Sequence, residues 1–313
     1  MRYTLISLLV LASFTGNAQQ KNNSPLSDDD DDTKDTPSYF QAASTFSNSY
    51  FSSRNKNINA SQQAKNFVFT PSVSYFHKSG LGLSTAAYHI KEGSNSGFYQ
   101  YSISPSYSYT KSENIDATVS YTRYIIKKGY EALASPFKNE LYGQINLKQL
   151  WLQPGISSGF ANGNFTQYNK IDTVLNGTRR MFTDTVHTKL SNFTLSAFVQ
   201  HQFNFYGLFD NNDEIGITPQ LLLNAGSSIF NETHKNPFLS GLQKRNSSGR
   251  FKHAGNKNQQ TSFQIQSLAF NTDVNYSIGK FGINPQLYLD YYLPQTTDKR
   301  LTAVYSVQLS YNF

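Results

Sequence analysis

The last thirteen residues alternate strictly between two faces. One face is largely apolar: Leu301, Ala303, Tyr305, Val307, Leu309, Tyr311 and Phe313. The other is largely polar: Thr302, Val304, Ser306, Gln308, Ser310 and Asn312. A period of two predicts a strand with one apolar and one polar face. Such a strand at the edge of a soluble sheet would promote aggregation, whereas it suits the wall of a closed barrel with lipid outside and a polar interior.

The same alternation recurs from residue 38 onward and predicts twelve strands. They span 38–52, 66–78, 81–90, 97–110, 115–125, 139–147, 150–161, 189–206, 215–230, 262–278, 281–292 and 301–313. In the fourth strand, Tyr99 and Tyr101 share the outward face. The tenth changes phase between Ile265 and Leu268, which predicts a bulge. We therefore predict an all-β fold, a closed antiparallel transmembrane barrel of about 12 strands.

The connections between these strands alternate between long and short. The long ones are 53–65, 91–96, 126–138, 162–188, 231–261 and 293–300. Outer-membrane barrels have short periplasmic turns and longer extracellular loops, so an even number of strands places both termini in the periplasm. Within 162–188, Asn176-Gly177 is a strong hairpin signal, so the seventh and eighth strands are expected to continue beyond the membrane as a protruding hairpin.

Five prolines occupy outward positions within predicted strands: Pro71, Pro105, Pro154, Pro219 and Pro285. Proline has no N–H to donate to a neighbouring strand and is rare in central strands. We interpret these prolines as bulge or shear points that help the barrel to close. Because they face lipid, a ligand site at these positions is not expected.

The first 37 residues differ from the rest. A basic start, an apolar run at 5–12 and small residues before Ala18 predict a signal peptide, residues 1–18. Residues 19–37 contain five adjacent aspartates at 28–32, whose mutual repulsion predicts a disordered acidic periplasmic tail. A calcium site is the alternative, but the carboxylates lack the spacing of a coordination loop. The barrel domain is then 38–313.

The composition narrows the chemistry. Aromatic residues make up 15% of the chain, which suits strands and membrane-interface girdles. The absence of cysteine excludes disulfides and thiolate metal sites. A net charge of +7 without a nucleic-acid motif favours an anionic membrane surface, rather than nucleic acid, as the partner.

The signal peptide, the amphipathic strands and the aromatic terminal strand ending at Phe313 together resemble an outer-membrane β-barrel of the Bacteroidota type. The resemblance implies a location in the bacterial outer membrane. It also implies contact with outer-membrane lipid and lipopolysaccharide, and insertion by the barrel-assembly machinery through the C-terminal strand. No motif ties the chain to a characterised family.

Catalytic signatures are lacking. There is no glycine-rich phosphate loop, no HExxH and no Gly-x-Ser-x-Gly motif. His89 and His201 lie in predicted strands, but no serine or acid is tied to them by spacing. We therefore expect no enzyme activity, no cofactor and no metal, and a membrane-embedded hydrolase is the least favoured hypothesis.

The connection 231–261 carries a concentration of positive charge against Glu232 alone. Its basic residues are Lys235, Lys244, Arg245, Arg250, Lys252 and Lys257. The first interpretation is contact with lipopolysaccharide phosphates. The alternatives are capture of an anionic solute and folding into the barrel mouth as a constriction, since long loops in compact folds usually have a role.

The predicted interior is mostly Ser, Thr, Asn and Gln, with five inward charges: Asp116, Glu140, Lys148, Asp273 and Asp290. Such a lining suits a small channel for passive solute passage, with a preference for anions at low salt because of the basic loop. It equally suits a surface interaction or structural barrel with a filled lumen, as part of an envelope complex. Twelve strands lie between filled eight-stranded barrels and open sixteen-stranded porins, so both hypotheses stand.

Overall fold

The computed structural model describes residues 37–49, 63–92, 95–127, 130, 134–135, 137–175, 178–234, 257–294 and 301–313. Fourteen strands are found in these segments and belong to one sheet. They are β1 (Tyr39–Ser49), β2 (Gln63–Phe76), β3 (Leu81–Glu92), β4 (Asn95–Tyr109), β5 (Ile115–Ile126), β6 (Asn139–Leu147), β7 (Gln153–Leu175), β8 (Thr178–Gln200), β9 (Phe203–Tyr206), β10 (Asp213–His234), β11 (Lys257–Gln260), β12 (Gln264–Ile278), β13 (Phe281–Tyr292) and β14 (Leu301–Asn312). Among the same residues, no helix is long and apolar enough to cross a membrane.

The sheet closes on itself. Twelve long strands each pair antiparallel with two neighbours, with β1 joined to β14 and β8 joined to β10. The short strands β9 and β11 both pair with β10, where they continue the lines of β8 and β12. The predicted closed barrel of twelve antiparallel strands is therefore confirmed.

The two ends of the barrel differ. The short-turn end carries the connections 77–80, 110–114, 148–152, 207–212 and 279–280. The C-terminal strand finishes there beside the start of β1, because Phe313 N donates to Phe40 O at 2.9 Å. We call the opposite end the long-loop end.

Alternation places one face of each strand outside and the other inside. On β13, Leu287 is 36% exposed, whereas Gln286 is 8% exposed and donates a hydrogen bond inside the barrel to Asn271 Oδ1 at 2.8 Å. The outer face carries many exposed aliphatic and aromatic side chains from every long strand of the wall. Because a polar inner face is combined with an apolar outer one, the barrel has the pattern that a spanning strand requires in lipid.

Bulges interrupt the alternation in β12 and in β4, and a further shift in register lies between Ser47 and Ser49 of β1. Asn224 pairs with Ser267 and Ala225 pairs with Ile265, so Gln266 is an extra residue in β12 and the predicted bulge is confirmed. A second bulge lies in β4, because Tyr88 and His89 of β3 pair with Gln100 and Phe98. The extra residue Tyr99 is fully buried, so its predicted outward position was wrong.

The predicted protruding hairpin is also present. β7 and β8 pair continuously as far as Leu175 and Thr178. The two residues between them, Asn176 and Gly177, lie outside the described residues. Strands of 23 residues exceed the roughly 9–11 residues needed to cross a bilayer, so part of the hairpin extends beyond the wall.

The strand prolines do not act as bulges. Across β2 and β3, pairing is missing at Pro71 but resumes on both sides in the same register. The same two-residue gap occurs at Pro105 and Pro285, and Pro219 lies opposite the break between β8 and β9. At Pro154 the pairing between β6 and β7 ends at the next residue. The gaps follow from the missing N–H, which removes a ladder bond without changing strand alignment.

Candidate functional site

The connection between β5 and β6 turns into the barrel. Its residues Ala134, Ser135 and Phe137 are buried, and Phe137 is 3% exposed. They belong to a cluster with inward side chains of the neighbouring wall: Val68, Tyr88, Ile90, Tyr99, Tyr124 and Ala161. We call this region, lined by β2–β5 and β7, the apolar half of the interior.

Specific hydrogen bonds fix this inward segment. Gln100 Oε1, on the wall, accepts from Ser135 N at 2.7 Å. Ser135 Oγ accepts from Phe137 N at 3.0 Å, and Tyr130 O accepts from Ala134 N at 3.1 Å. The backbone N–H groups of Ala134, Ser135 and Phe137 are therefore satisfied while the side chains of Ala134 and Phe137 pack inward, as burial of a loop requires.

The opposite wall fills the interior differently. Asn224 Nδ2 donates to Ser267 Oγ at 3.0 Å and to Tyr288 Oη at 3.0 Å. Ser196 Oγ donates to Asn224 Oδ1 at 2.6 Å, and Tyr288 Oη donates to Asp290 Oδ1 at 3.3 Å. These residues come from β8, β10, β12 and β13, and we call this region the polar half.

A row of amides extends the polar half towards the short-turn end. Gln286 Nε2 donates to Asn271 Oδ1 at 2.8 Å, and Asn271 Nδ2 lies 3.5 Å from Gln220 Oε1. Gln220 Nε2 donates to Gln200 Oε1 at 3.2 Å, and Gln200 Nε2 donates to Gln153 Oε1 at 3.4 Å. Because an amide can both donate and accept, the row links five strands, β13, β12, β10, β8 and β7, without a net charge.

The five charges predicted to face inward do so, as their contacts place Asp116, Lys148, Glu140, Asp273 and Asp290 inside the wall. Lys148 Nζ lies 3.0 Å from Asp116 Oδ1 at the short-turn end. Glu140 is buried, and its Oε2 accepts from Tyr124 Oη at 3.1 Å. A buried carboxylate without a partner is costly, so this bond stabilises the junction of the wall with the apolar half.

Large inward side chains in the middle of the barrel are almost inaccessible. Gln100, Tyr124 and Tyr288 are 0%, 2% and 1% exposed. A water-filled lumen would leave such side chains exposed. By contrast, Asn275 and Asn204 near the short-turn end are exposed. The described interior therefore consists of a packed middle and a wet vestibule at the short-turn end.

A carboxylate organises the turn between β9 and β10, at the margin of the barrel and beyond the membrane-crossing part of the wall. Asp213 accepts from the backbone N–H groups of Leu208 at 2.9 Å, Phe209 at 2.8 Å and Asp210 at 3.2 Å. Burial alone would raise the pKa of Asp213, but these donors outweigh it and lower the pKa below its ordinary value.

Most of the basic residues predicted for binding lie outside the described residues: Lys235, Lys244, Arg245, Arg250 and Lys252. Lys257 is the first residue of β11, where its backbone pairs with Glu232. The signal peptide and the aspartates at 28–32 also lie outside. The inward segment between β5 and β6 was not predicted from the sequence. The available signal was the presence of the apolar residues Ala134 and Phe137 within a long connection.

The described histidines do not form a catalytic cluster with a serine and an acid. His77 Nδ1 lies 2.9 Å from Ser79 Oγ in the same turn, and the His201 ring packs at a tilt against the Trp151 ring, with the centroids 4.6 Å apart. His89 packs against Phe98 on the outside of the wall. Within the described part of the chain, no group of three His, Asp or Glu residues is arranged to hold a metal. That the chain is not an enzyme stays a prediction.

The solved structures to which the chain is similar include outer-membrane barrels, at low identity and low TM-scores. No protein-family model matches the chain, and no curated protein matches it in sequence. The unliganded ferric citrate transporter FecA is similar at 10% identity and a TM-score of 0.29, over 87% of this chain and 38% of that chain. The chain thus spans little more than a third of that transporter.

Two smaller barrels are similar over nearly their whole length. The beta domain of the Bordetella autotransporter BrkA has 10% identity and a TM-score of 0.34, over 88% of this chain and 98% of that chain. LpxR from Salmonella typhimurium has 9% identity and a TM-score of 0.33, over 87% and 100%. Values this low establish neither a family nor an activity, and the Bacteroidota type stays a prediction.

Proposed function

We propose that the chain is an outer-membrane β-barrel whose filled interior makes it a surface interaction or structural component of the cell envelope, rather than an open pore. The observation that carries this proposal is the packed middle, in which the apolar half and the polar half bury large inward side chains. Passage of a hydrated solute would require these side chains and the inward segment to move.

The membrane location rests on the wall itself. Its outward side chains are exposed aliphatic and aromatic groups, and its backbone groups are paired around a closed circle. Only helices and closed barrels satisfy backbone hydrogen bonding in lipid. By the same logic that governs other barrels, we assign the short-turn end to the periplasm and the long-loop end to the outside.

Conductance in a planar bilayer tests the proposal. The intact protein should show no stable stepwise conductance. Replacing 130–137 by an equally long Gly/Ser sequence should open the long-loop end and produce steps, because it removes the apolar anchors Ala134 and Phe137. The same replacement at 295–300 is the control and should leave the protein closed. Equal steps from the intact protein and the 130–137 variant would overturn the proposal.

One observation favours the alternative, a small channel. The vestibule at the short-turn end is lined by exposed neutral amides, among them Asn204 and Asn275, which suit a solute path. In that case the basic loop would set a weak anion preference at low salt, as low-dielectric walls focus its field. Deleting 235–256 would then shift the selectivity of the intact protein towards cations, whereas a closed barrel has no selectivity to shift.

A further inference from the structure

The outer face of the wall carries cations near the long-loop end. Arg123 is the ninth residue of β5, counted from Ile115, and shares the outward face with Tyr121 and Ile125, which are 41% and 48% exposed. Asn139, the first residue of β6, pairs with Arg123 and lies at the same level. A strand crosses a bilayer in roughly 9–11 residues, so this level is about one bilayer thickness from the short-turn end.

Neutral amides hold Arg123 in place. Asn139 Oδ1 accepts from Arg123 Nη1 and from Tyr121 Oη, the latter at 2.7 Å. Asn139 Nδ2 in turn donates to Asn162 Oδ1 on β7 at 2.9 Å. The side chains therefore form a chain of hydrogen bonds across three strands.

Two lysines extend this group. Lys138 Nζ donates to Asn164 Oδ1, and Asn164 follows Asn162 on the same face of β7. The exposed Lys189 lies directly opposite Asn164 in the β7–β8 ladder, where Cβ atoms are about 4.5–5.5 Å apart. We call Arg123, Lys138 and Lys189 the outer cationic cluster.

The outer cationic cluster has donors to spare. A guanidinium or an ammonium has more N–H donors than the single bond that Arg123 and Lys138 each make to an amide. None of the three cations has a carboxylate partner among the described residues. Glu140 follows Asn139 but is buried on the inner face, where it accepts from Tyr124 Oη. Positive charge with spare N–H groups is what an anion such as phosphate binds.

An apolar row lies next to the cluster on the same outer face. It is one step closer to the short-turn end on four adjacent strands, and its members pair across the sheet: Tyr121, Leu141, Phe160 and Phe193. They are between 38% and 51% exposed. A molecule that lies along the wall therefore meets cations at one level and apolar side chains at the next, which is the order of a lipid with an anionic head group.

We propose that the outer cationic cluster binds the phosphate of a phosphorylated lipid in the leaflet at the long-loop end, with the acyl chains of that lipid on the apolar row. Exposed charge contacts are individually weak, but the acyl contacts keep the phosphate at a high effective concentration beside the cations. The proposal rests on the assignment of the long-loop end to the outside. It is independent of whether the barrel conducts.

Lipid binding to the full-length protein in detergent micelles tests the proposal. The probe is lipid A, an acylated and phosphorylated sugar, and native mass spectrometry measures its dissociation constant. Combining Arg123→Gln with Lys189→Gln should weaken binding about tenfold, because two charge-assisted contacts are lost. The matched control combines Lys78→Gln with Lys280→Gln, which removes the same charge from exposed positions at the short-turn end and should leave binding unchanged.

The phosphate and the acyl chains are then tested separately. Lipid A without its phosphates should bind the parent about tenfold more weakly and should not distinguish the parent from the Arg123/Lys189 variant. Leu141→Ala should also weaken binding of lipid A, whereas Leu309→Ala, at a similarly exposed position on β14, should not.

Three outcomes would overturn the proposal. The first is equal binding by the Arg123/Lys189 variant and its matched control. The second is equal binding of the two forms of lipid A to the parent, which needs no variant to fold. The third is displacement of lipid A by an excess of inorganic phosphate, which would assign the cluster to free phosphate instead.

Discussion

The two halves of the interior fill the same kind of barrel wall by different means. In the apolar half, large inward side chains of β2–β5, among them Val68, Tyr88 and Tyr124, pack against the segment that carries Phe137. The inward positions of β8–β14 include Gln, Asn and Tyr, which reach into the lumen themselves. One half of the interior is therefore filled by contacts between wall and loop, and the other by hydrogen bonds between wall side chains.

The difference also has an energetic meaning. Packing in the apolar half is non-directional, so its stability follows the apolar area that is buried. The polar half contains a smaller apolar cluster that includes Phe198 and Leu222, but it also depends on donors and acceptors that satisfy one another, and losing one member leaves the others unpaired. The apolar half should therefore be sensitive to volume, and the polar half to the identity of single polar groups.

The largest expected effect is on the apolar half. Phe137→Ala should lower the free energy of unfolding by about 3–5 kcal/mol, because it leaves a cavity where a buried ring was. Denaturant unfolding in micelles measures it. Phe209→Ala, at a position 81% exposed, is the matched control and should cost far less. Similar losses for both variants would mean that Phe137 is not packed inside the barrel.

The comparison depends on which face of a strand points inward, and a charge on the outer face tests that directly. Leu287→Arg should lower folding stability in bilayers by about 2–4 kcal/mol, because it places a cation in lipid. Asn284→Arg, on the inner face of the same strand near the vestibule, should be tolerated. The reverse order in a folding titration would show that the two faces of β13 are exchanged.

A smaller loss is expected in the polar half. Asn224→Ala should cost about 1–3 kcal/mol, because Ser196 and Tyr288 lose a buried partner. Asn275→Ala, in the wet vestibule, is the control and should cost little. If the two halves are independent, the effects of Asn224→Ala and Phe137→Ala should add within about 0.5 kcal/mol. A larger deviation from additivity in the double variant would show that the two halves are energetically coupled.

The smallest effect lies outside both halves. The folded pKa of Asp213 is lowered, so its contribution to stability is complete above its unfolded pKa of about 3.9 and is lost as the pH falls through the folded value. The Asp213→Asn variant should therefore be less stable than the parent at pH 7, and its unfolding midpoint should fall less as the pH is lowered. Unfolding midpoints from pH 7 to pH 2 measure this. A parallel response of both proteins would assign no role to the carboxylate.

The fold was accessible from sequence because lipid outside and polar groups inside impose a period of two on every strand. The phase change before Leu268 and the Asn176-Gly177 signal were visible for the same reason. The bulge at Tyr99 was missed because an aromatic residue fits either face of a strand. Its burial depends on the inward segment, which comes from elsewhere in the sequence.

The packed interior was much harder to predict. Loop residues carry no period, so nothing in the alternation marks the connection of Phe137 as an inward segment. To predict the break between β8 and β9, one must know that Pro219 of β10 lies opposite it. That depends on the register of β10 against β8 and β9, which the alternation within each strand does not give. Polar inward side chains predict an interior of hydrogen-bonding groups, but their sequence does not distinguish bonds to one another from bonds to water.

The tryptophan that packs against His201, Trp151, gives the barrel an intrinsic fluorescence probe. Trp151 is the only tryptophan in the chain, lies at the short-turn end and is 69% exposed. All indole fluorescence therefore originates from one known position. Its emission wavelength distinguishes water from lipid head groups, and quenching by brominated lipid chains measures its depth. The short-turn end can thus be located relative to the bilayer in the unmodified protein.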